Sequence, residues 1–274
     1  MTPLENLKHV SIVLHQPRFA ENIGATARAA WNMGLSHIIV VNPEDTDWER
    51  MTKLSTHVAR GLLEQMETFD SLDVALAPFH YIIGTTARLG GQRKELVDPA
   101  QAAEKIRSLG PKNRVALLFG PENRGLSNEE LRYCHATVNI PTASVSSLNL
   151  AQAVLLLCYE IFLAHLPKTV RGTEFGVDSE LTSELINQNA KLRTLNSDHS
   201  LATSFELEGM YRHLQEVLLL MDFLDEQNPE LWMMSLRRFF SRIGLYPQEV
   251  RMIRGICRQL KWLVINHRPS KPEP

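Results

Sequence analysis

The feature that most constrains this chain is an alternation, along its first 165 residues, of short apolar runs rich in β-branched residues with helical patterns. The runs that predict strands are His9–Leu14, His37–Val41, Tyr81–Gly84, Val115–Gly120 and Thr137–Ile140. The segments that predict helices are Asn22–Met33, Trp48–Gln65, Ser71–Leu76, Pro99–Ser108, Asn128–Cys134 and Ser147–His165. Nearly continuous apolar strands separated by helices are typical of a parallel sheet covered on both faces. The sequence therefore predicts an α/β domain over residues 1–166.

The composition changes twice after this domain. Residues 167–203 are polar with little periodicity, which predicts a linker. Residues 204–268 regain helical spacing and predict a small helical domain, and the composition of residues 269–274 predicts a disordered tail. The last predicted helix has an apolar face, which we expect to pack inward, formed by Ile253, Ile256, Leu260 and Leu263. Its other face is a basic stripe of Arg251, Arg254, Arg258 and Lys261.

The net charge of -2 conceals an uneven distribution along the chain. Residues 1–170 hold 16 basic and 17 acidic residues, residues 171–230 hold 4 and 12, and residues 231–271 hold 9 and 1. A basic segment of this kind is typical of a surface that binds a polyanion, and equally of a solvated helix face. Charge alone does not separate these two interpretations.

Composition also argues against several classes of protein. The first eight residues lack the apolar segment of a secretory signal. The most apolar stretch, residues 148–166, predicts a buried helix rather than a bilayer span because it contains Asn149, Gln152, Glu160 and His165. The cysteines are odd in number and far apart, and neither they nor the ten histidines show metal-ligand spacing. We expect a cytoplasmic protein with no membrane span and no bound metal.

Two polar segments follow predicted strands, at the edge of a parallel sheet where ligands bind. In Glu21–Arg28, Gly24 would allow close backbone approach, and Arg28 could grip a phosphate or simply be exposed beside packed alanines. In Leu117–Ser127, a strand ends at Gly120, and Ser127 has capping-box spacing to the next helix. This loop suits an adenosine-like cofactor or is only a tight turn, and it matches neither a Walker loop nor the dinucleotide fingerprint.

A third segment places Ser147 and Asn149 at the start of an otherwise apolar helix, after Ile140 and Pro141. These two side chains could form a polar site, although the sequence alone favours helix capping. A shorter segment, Gly84–Arg88, ends its strand with two hydroxyls and an arginine. No nucleophile–histidine–acid set and no carboxylate pair for hydrolysis is apparent.

Taken together, these segments resemble the three motifs of SPOUT methyltransferases of the TrmH-like branch. The first motif corresponds to Asn22, Gly24 and Arg28, and the second to Phe119–Ser127. The third corresponds to Ile140, Pro141, Ser147, Leu148 and Asn149. Runs in the C-terminal part, such as Leu236–Phe240, resemble the helical extension of tRNA-modifying members. In the second motif Pro121 and Asn123 stand where arginines are expected, and His15–Glu21 is idiosyncratic, which bears on the choice of RNA.

The resemblance implies a trefoil-knotted α/β domain, an obligate homodimer and ribose 2'-O-methylation of tRNA, at the first nucleotide of the anticodon loop. It also implies S-adenosyl-L-methionine as cofactor, held by Thr85, Thr86, Ala87, Gly120, Glu122, Gly125, Ile140, Ser147, Leu148 and Asn149. Catalytic roles fall to Arg28, Ser147 and Asn149. Because a guanidinium stays protonated, we expect Arg28 to orient the 2'-hydroxyl and a phosphate rather than act as a base. The predicted RNA contacts are Arg28, Arg88, Arg237, Arg238, Arg251, Arg254, Arg258 and Lys261.

Three alternatives stay open at this point. A ribosomal RNA substrate would keep the chemistry and change the target. A dimer that binds RNA through a decayed cofactor site would not be an enzyme. A nucleotide-binding dehydrogenase is compatible with an α/β fold, although the missing glycine fingerprint argues against it.

Overall fold

A computed structural model of the chain describes residues 7–87, 96–143, 147–166, 200–224 and 229–267. Residues 167–199 of the predicted linker, the predicted tail and Arg88 lie outside the described residues. The domain boundaries proposed from the sequence therefore stay predictions.

The core of the fold is a seven-stranded parallel sheet, as the apolar runs predict. In chain order the strands are β1 (Val10–His15), β2 (Ile38–Val41), β3 (Glu67–Phe69), β4 (Tyr81–Thr85), β5 (Leu96–Val97), β6 (Val115–Phe119) and β7 (Ala136–Val138). Their order across the sheet is β3-β2-β1-β6-β4-β7-β5. The sequence did not predict the short edge strands β3 and β5, because two or three partly exposed residues give no apolar run.

The helices described in the first domain are α1 (Ala20–Asn32), α2 (Trp48–Leu54), α3 (Arg60–Glu64), α4 (Leu72–Leu76), α5 (Pro99–Leu109), α6 (Asn128–Leu131) and α7 (Leu150–His165). One apolar cluster joins α1, α5 and α7 to one face of the sheet, and a second joins α4 and α6 to the other. Alternate residues of a strand belong to different clusters: Ile12 and Leu14 of β1 pack in the first, and Val13 packs in the second. All residues of β1 and β6 are buried, which explains their continuous apolar runs.

The single helix predicted over Trp48–Gln65 is wrong, because the structure has two helices there. Ser55 is extended, with ψ of 152°, and ends α2. The Thr56 hydroxyl then accepts a hydrogen bond from the Ala59 N–H at 3.3 Å just before α3. Hydroxyl side chains that bond to nearby backbone groups compete with helix continuation, and this explains the break.

In the C-terminal part, the described residues form three helices: α8 (Ser204–Leu220), α9 (Pro229–Ile243) and α10 (Pro247–His267). They share an apolar cluster that includes Met210, Tyr211 and Val250. Of the predicted inward face of the last helix, Ile253 packs against this cluster, whereas Ile256 and Leu263 are 54% and 40% exposed. The packed face also carries Val250 and Cys257. The sequence misplaced this face because α10 has apolar residues on more than one side.

The helical part joins the α/β domain at the amino ends of β4 and β6. The N–H groups of Ser204 and Phe205 donate to the carbonyls of Phe79 and Ala77 at 2.8 and 3.2 Å. The Asn113 side chain accepts from the Leu201 N–H at 2.8 Å. The opposite edge of the sheet, at the carboxyl ends of the strands, is left clear of these contacts. Within the described ranges, no helix has the length and apolar character needed to cross a membrane.

Candidate active site

The carboxyl ends of β4, β6 and β7 lie side by side and open into a cavity of about 350 Å³. This volume falls within the range of small-molecule sites. Nine of the residues that the resemblance assigns to the cofactor line it: Thr85, Thr86, Ala87, Gly120, Glu122, Gly125, Ile140, Ser147 and Leu148. Asn149, the tenth, lines an adjoining concavity. The motifs, which are far apart along the chain, therefore meet at one edge of the sheet.

The loop after β6 is tightly folded, and its glycines are required by its shape. A Cβ atom on Gly120 would lie 2.4 Å from the Gly125 carbonyl carbon and 2.5 Å from the Leu126 nitrogen. Gly125 has φ of +67°, in the region that favours glycine, and its N–H donates to the Pro121 carbonyl at 2.8 Å. The loop therefore folds back on the end of its strand and forms one wall of the cavity.

Glu130 holds this loop in place through its contacts with Ser127 and Arg124. It forms the predicted capping box with Ser127, whose N–H donates to the carboxylate at 2.6 Å. The Arg124 guanidinium donates to both carboxylate oxygens, at 3.0 and 2.7 Å, and to the Gln16 side chain at 2.9 Å. His15, at the end of β1, lies 3.0 Å from the same carboxylate through Nε2. The loop after β6 is thereby tied to the neighbouring strand of the sheet.

The electrostatics of this cluster favour a neutral histidine beside an ionised carboxylate. Burial lowers the pKa of His15, although the negative charge of Glu130 opposes this. Burial opposes ionisation of Glu130, yet the hydrogen bonds from Arg124 and Ser127 keep its pKa below the ordinary value. The Nδ1 atom of His15 is buried with no partner among the described residues. Nε2 therefore carries the proton of the neutral imidazole and donates a hydrogen bond to Glu130.

A second network links the three motifs. The Glu122 carboxylate accepts from the Asn22 amide at 2.6 Å and from the Arg18 N–H at 3.0 Å. The Asn149 amide donates to the Asn22 carbonyl oxygen at 2.9 Å, and the Asn149 oxygen caps α7 by accepting from the Ala151 N–H at 3.0 Å. Asn149 is thus both a helix cap and a member of the polar site, the two alternatives that the sequence left open. Glu122, with both oxygens occupied, holds the loop in place.

An open concavity of about 420 Å³ adjoins the cofactor-sized cavity. Glu122, Ser147 and Leu148 line both spaces and form their common boundary. The rest of the second lining is Phe19, Glu21, Asn22, Arg50 and Asn149. The site is therefore bipartite, with a narrow half under the loop and a wide half facing outward.

The first motif lies within α1 rather than in a loop before it. Gly24 does not face a ligand: a Cβ atom there would lie 1.9 Å from the Met51 carbonyl oxygen, so this glycine allows α1 to pack against α2. Arg28 is exposed on α1 and lines neither concavity. Within one copy of the chain, the described residues do not bring Arg28 to the other motif residues.

The predicted basic surface is only partly available. Arg237 forms an ion pair with Glu208 through both terminal nitrogens, and its guanidinium lies 4.3 Å from the Tyr211 ring centroid. Lys261 pairs with Glu216 at 3.1 Å. Arg251 and Arg258 are exposed on α10, whereas Arg238 and Arg254 are half-buried. Among the arginine and lysine side chains whose ion pairs the structure describes, that of Arg237 is the least exposed, and its position indicates a structural role.

Sequence reasoning missed Arg18, Phe19, Arg124 and the role of His15 in the site. His15, Arg18 and Phe19 lie outside the family motifs. Arg124 lies within the second motif at a position without an expected role. None of the four follows a simple spacing rule. Only Glu130 gave a usable signal, through its capping-box spacing to Ser127.

Comparison with known proteins agrees with this geometry. The SpoU rRNA Methylase family model matches residues 9–159, and a model of the tRNA methyltransferase TrmJ C-terminal domain matches residues 205–271. A tRNA (cytidine/uridine-2'-O-)-methyltransferase TrmJ from Sodalis glossinidius is 34% identical over 98% of this chain and 96% of its own length. A tRNA (cytidine/uridine/adenosine-2'-O-)-methyltransferase TrmJ from Pseudomonas aeruginosa is 34% identical over 92% of this chain and 94% of its own.

A solved structure is similar to this chain over most of its length. The crystal structure of TrmJ from Z. mobilis ZM4 covers 92% of this chain and 98% of its own, with a TM-score of 0.71 and 28% sequence identity. The resemblance that the motifs suggested is therefore confirmed over nearly the whole length. This chain belongs to the SpoU methylase family, and within it to the group that contains the TrmJ methyltransferases.

Proposed function

We propose that this protein transfers a methyl group from S-adenosylmethionine to a ribose 2'-hydroxyl of tRNA. The observation that carries the proposal is the bipartite site, where three family motifs meet around a cavity and an adjoining open concavity. The named activity of the TrmJ relatives and the matching C-terminal domain support tRNA as the substrate.

The residues present fit such a cofactor. The cavity combines backbone groups at the ends of three parallel strands with apolar side chains, and Gly120 allows the loop that forms one wall to fold back closely on its strand. Residues Thr85–Ala87, Gly120, Ile140 and Leu148 would hold the cofactor, which supplies an electrophilic methyl group when bound. Their positions would be fixed by the loop contacts of Glu122 and Glu130.

The polar residues at the boundary would orient the acceptor. Ser147 lies on the shared wall, and Asn22, Glu122 and Asn149 are locked together beside it. Methyl transfer requires alignment of two reacting atoms more than strong acid–base assistance. We propose that Ser147 and Asn149 position the ribose, and that its proton leaves to Ser147, a phosphate or water.

Arg28 would act across a dimer. Trp31, on the same side of α1 as Arg28, is exposed, and α1 packs beside α7, whose exposed apolar side chains are Leu155, Leu156 and Tyr159. An apolar surface of this kind is typical of a protein–protein interface. Pairing of two copies through these helices would bring Arg28 of one copy toward the site of the other. There its guanidinium would orient the 2'-hydroxyl and a phosphate.

The exposed arginines of α10 would contact the phosphate backbone of tRNA, so affinity should fall steeply with salt. We place the methylated nucleotide at the first position of the anticodon loop. Ribosomal RNA is a second candidate, favoured by the description of the family model, and the TrmJ-type C-terminal domain argues against it.

The test is transfer of a radiolabelled methyl group from S-adenosylmethionine to unmodified bulk tRNA and to ribosomal RNA transcripts, followed by nucleoside analysis. A 2'-O-methylated nucleoside from tRNA is the expected product, and mapping would then locate it. Methylation of ribosomal RNA alone would transfer the proposal to that substrate. Failure to bind S-adenosylmethionine at all would indicate a non-catalytic RNA-binding protein.

A further inference from the structure

We infer that Phe19 is a stacking platform for the base of the nucleotide whose ribose is methylated. The inference rests on the proposed function and deepens it by naming a substrate-binding residue. Phe19 lines the open half of the site, and the residue is 45% exposed. An exposed aromatic ring inside a concavity is a ready surface for a nucleobase, since every base has a flat π face.

The backbone of Phe19 is held in place on both sides. It occupies the N-cap position of α1 with extended dihedral angles, and its carbonyl accepts from the Asn22 N–H at 3.0 Å. The N–H of the preceding residue, Arg18, donates to the Glu122 carboxylate at 3.0 Å. The ring is therefore anchored to the same residues that form the boundary with the cofactor cavity.

The polar side chains around the ring are already paired with one another. Arg50 donates to both oxygens of Glu21, at 2.8 and 2.9 Å, and also contacts Asp45. Asn22 is occupied by Glu122 and Asn149. With its polar wall held in this way, the concavity offers an incoming base an apolar ring rather than a set of hydrogen-bonding edges.

The guanidinium of Arg18 lies over the Phe19 ring. The Arg18 guanidinium carbon lies 5.5 Å from the Phe19 ring centroid, and Arg18 Nε is 3.3 Å from a Glu44 oxygen. Aromatic rings combined with arginine are a common means of holding splayed-out bases in RNA-binding proteins. The pair thus combines base stacking with a positive charge near the RNA backbone.

The location identifies the base as that of the target nucleotide. Glu122, Ser147 and Leu148 separate the ring from the cofactor cavity. A base stacked on Phe19 would leave its own ribose next to this boundary, where the 2'-oxygen must lie to accept a methyl group. Because stacking tolerates any base, such a platform would discriminate weakly between cytidine and uridine.

The experiment compares Phe19→Leu and Phe19→Tyr with the wild-type dimer. We expect Phe19→Leu to lower kcat/KM for tRNA by about 5- to 150-fold, the range measured for loss of one base–aromatic contact. Affinity for S-adenosylhomocysteine should be unchanged, and Phe19→Tyr should restore most of the activity. A tRNA with pyrrolocytidine at the mapped target nucleotide should lose its fluorescence on binding wild-type protein and retain it with Phe19→Leu.

Trp48→Leu is the matched control. Trp48 is also an exposed aromatic residue with a guanidinium, that of Arg60, 5.5 Å from its centroid, but it lines neither half of the site. Wild-type kcat/KM and quenching in Phe19→Leu would overturn the inference alone. Dissociation of the Phe19→Leu dimer in size-exclusion chromatography would also overturn it, by assigning the ring to the subunit interface. A wild-type protein that methylates no tRNA would overturn the proposed function as well.

Discussion

Replacement of Gly120 by alanine tests whether the fold of the loop after β6 creates the cofactor cavity. The new Cβ atom would lie 2.4 Å from the Gly125 carbonyl carbon, 2.5 Å from the Leu126 nitrogen and 2.7 Å from the Gly125 oxygen. Ordinary contacts begin at 3.4 Å, so the loop must move by about 1 Å. These three atoms belong to the backbone, and no side-chain rotation can relieve the overlap.

The expected effects are a loss of stability and a larger loss of binding. Overpacking of this kind costs about 1–3 kcal/mol, which corresponds to a decrease in Tm of roughly 2–10 °C for a chain of this size. Because the displaced loop is a wall of the cavity, we expect affinity for S-adenosylhomocysteine to fall by about tenfold or more. Isothermal titration calorimetry measures the affinity, and thermal unfolding followed by circular dichroism measures the Tm.

Gly61→Ala is the matched control, because a Cβ atom on Gly61 would have no neighbour within 4 Å. Gly61 lies in α3, where alanine is the better helix former, so its Tm should be unchanged or slightly higher. Its affinity for S-adenosylhomocysteine should equal that of the wild type. A Gly120→Ala protein with wild-type affinity and wild-type Tm would refute the argument that loop geometry forms the site.

Three further predictions concern other parts of the molecule. Arg28→Lys should lower kcat about tenfold or more without changing S-adenosylhomocysteine affinity, because lysine lacks the bidentate fork, and near wild-type turnover would refute the orienting role. The free energy of unfolding should decrease as pH falls below 6.5, because His15 of the unfolded chain then binds a proton that the folded site disfavours. It should decrease again below 4.5, because Glu130 of the unfolded chain is then protonated while the folded site still favours the carboxylate. Denaturant titrations across this range measure both decreases, and a flat profile would contradict the His15–Glu130 cluster. Gly24→Ala should destabilise the α1–α2 packing by about 1–3 kcal/mol, since its Cβ would lie 1.9 Å from the Met51 oxygen; unfolding in urea tests this, and an unchanged midpoint would contradict it.

The local sequence was most informative where one residue type has one physical use. Buried parallel strands need apolar residues on both faces, so β1, β2, β4, β6 and β7 could be predicted from their runs. The capping box at Ser127 and Glu130 could be predicted because both partners lie three residues apart in the chain. Edge strands and the packed face of α10 could not, because they depend on neighbours distant in sequence. The break after α2 was missed although the hydrogen bond at Thr56 that accompanies it is local.

The residues of the site also divide into what the sequence identified and what only the structure explained. The motifs identified Gly120, Glu122, Ser147 and Asn149 as members of one site, although only the family resemblance connected them. The reasons for these residue types came from the structure. Gly120 is required by the return of its own loop, and Gly24 is required by α2 rather than by a ligand. Arg237, whose predicted contact with RNA stays a prediction, pairs with Glu208 and lies over the Tyr211 ring.

By itself, the sequence determined a parallel α/β domain, a basic helical extension and the family motifs at the strand ends. It could do so because strand burial, helix capping and charge are properties of neighbouring residues. The tertiary structure alone decided that Asn22, Glu122 and Asn149 form one hydrogen-bonded network and that Phe19 faces an open concavity beside it. These relations join residues a hundred or more positions apart. Their distances follow from sheet order and helix packing, which no local pattern encodes.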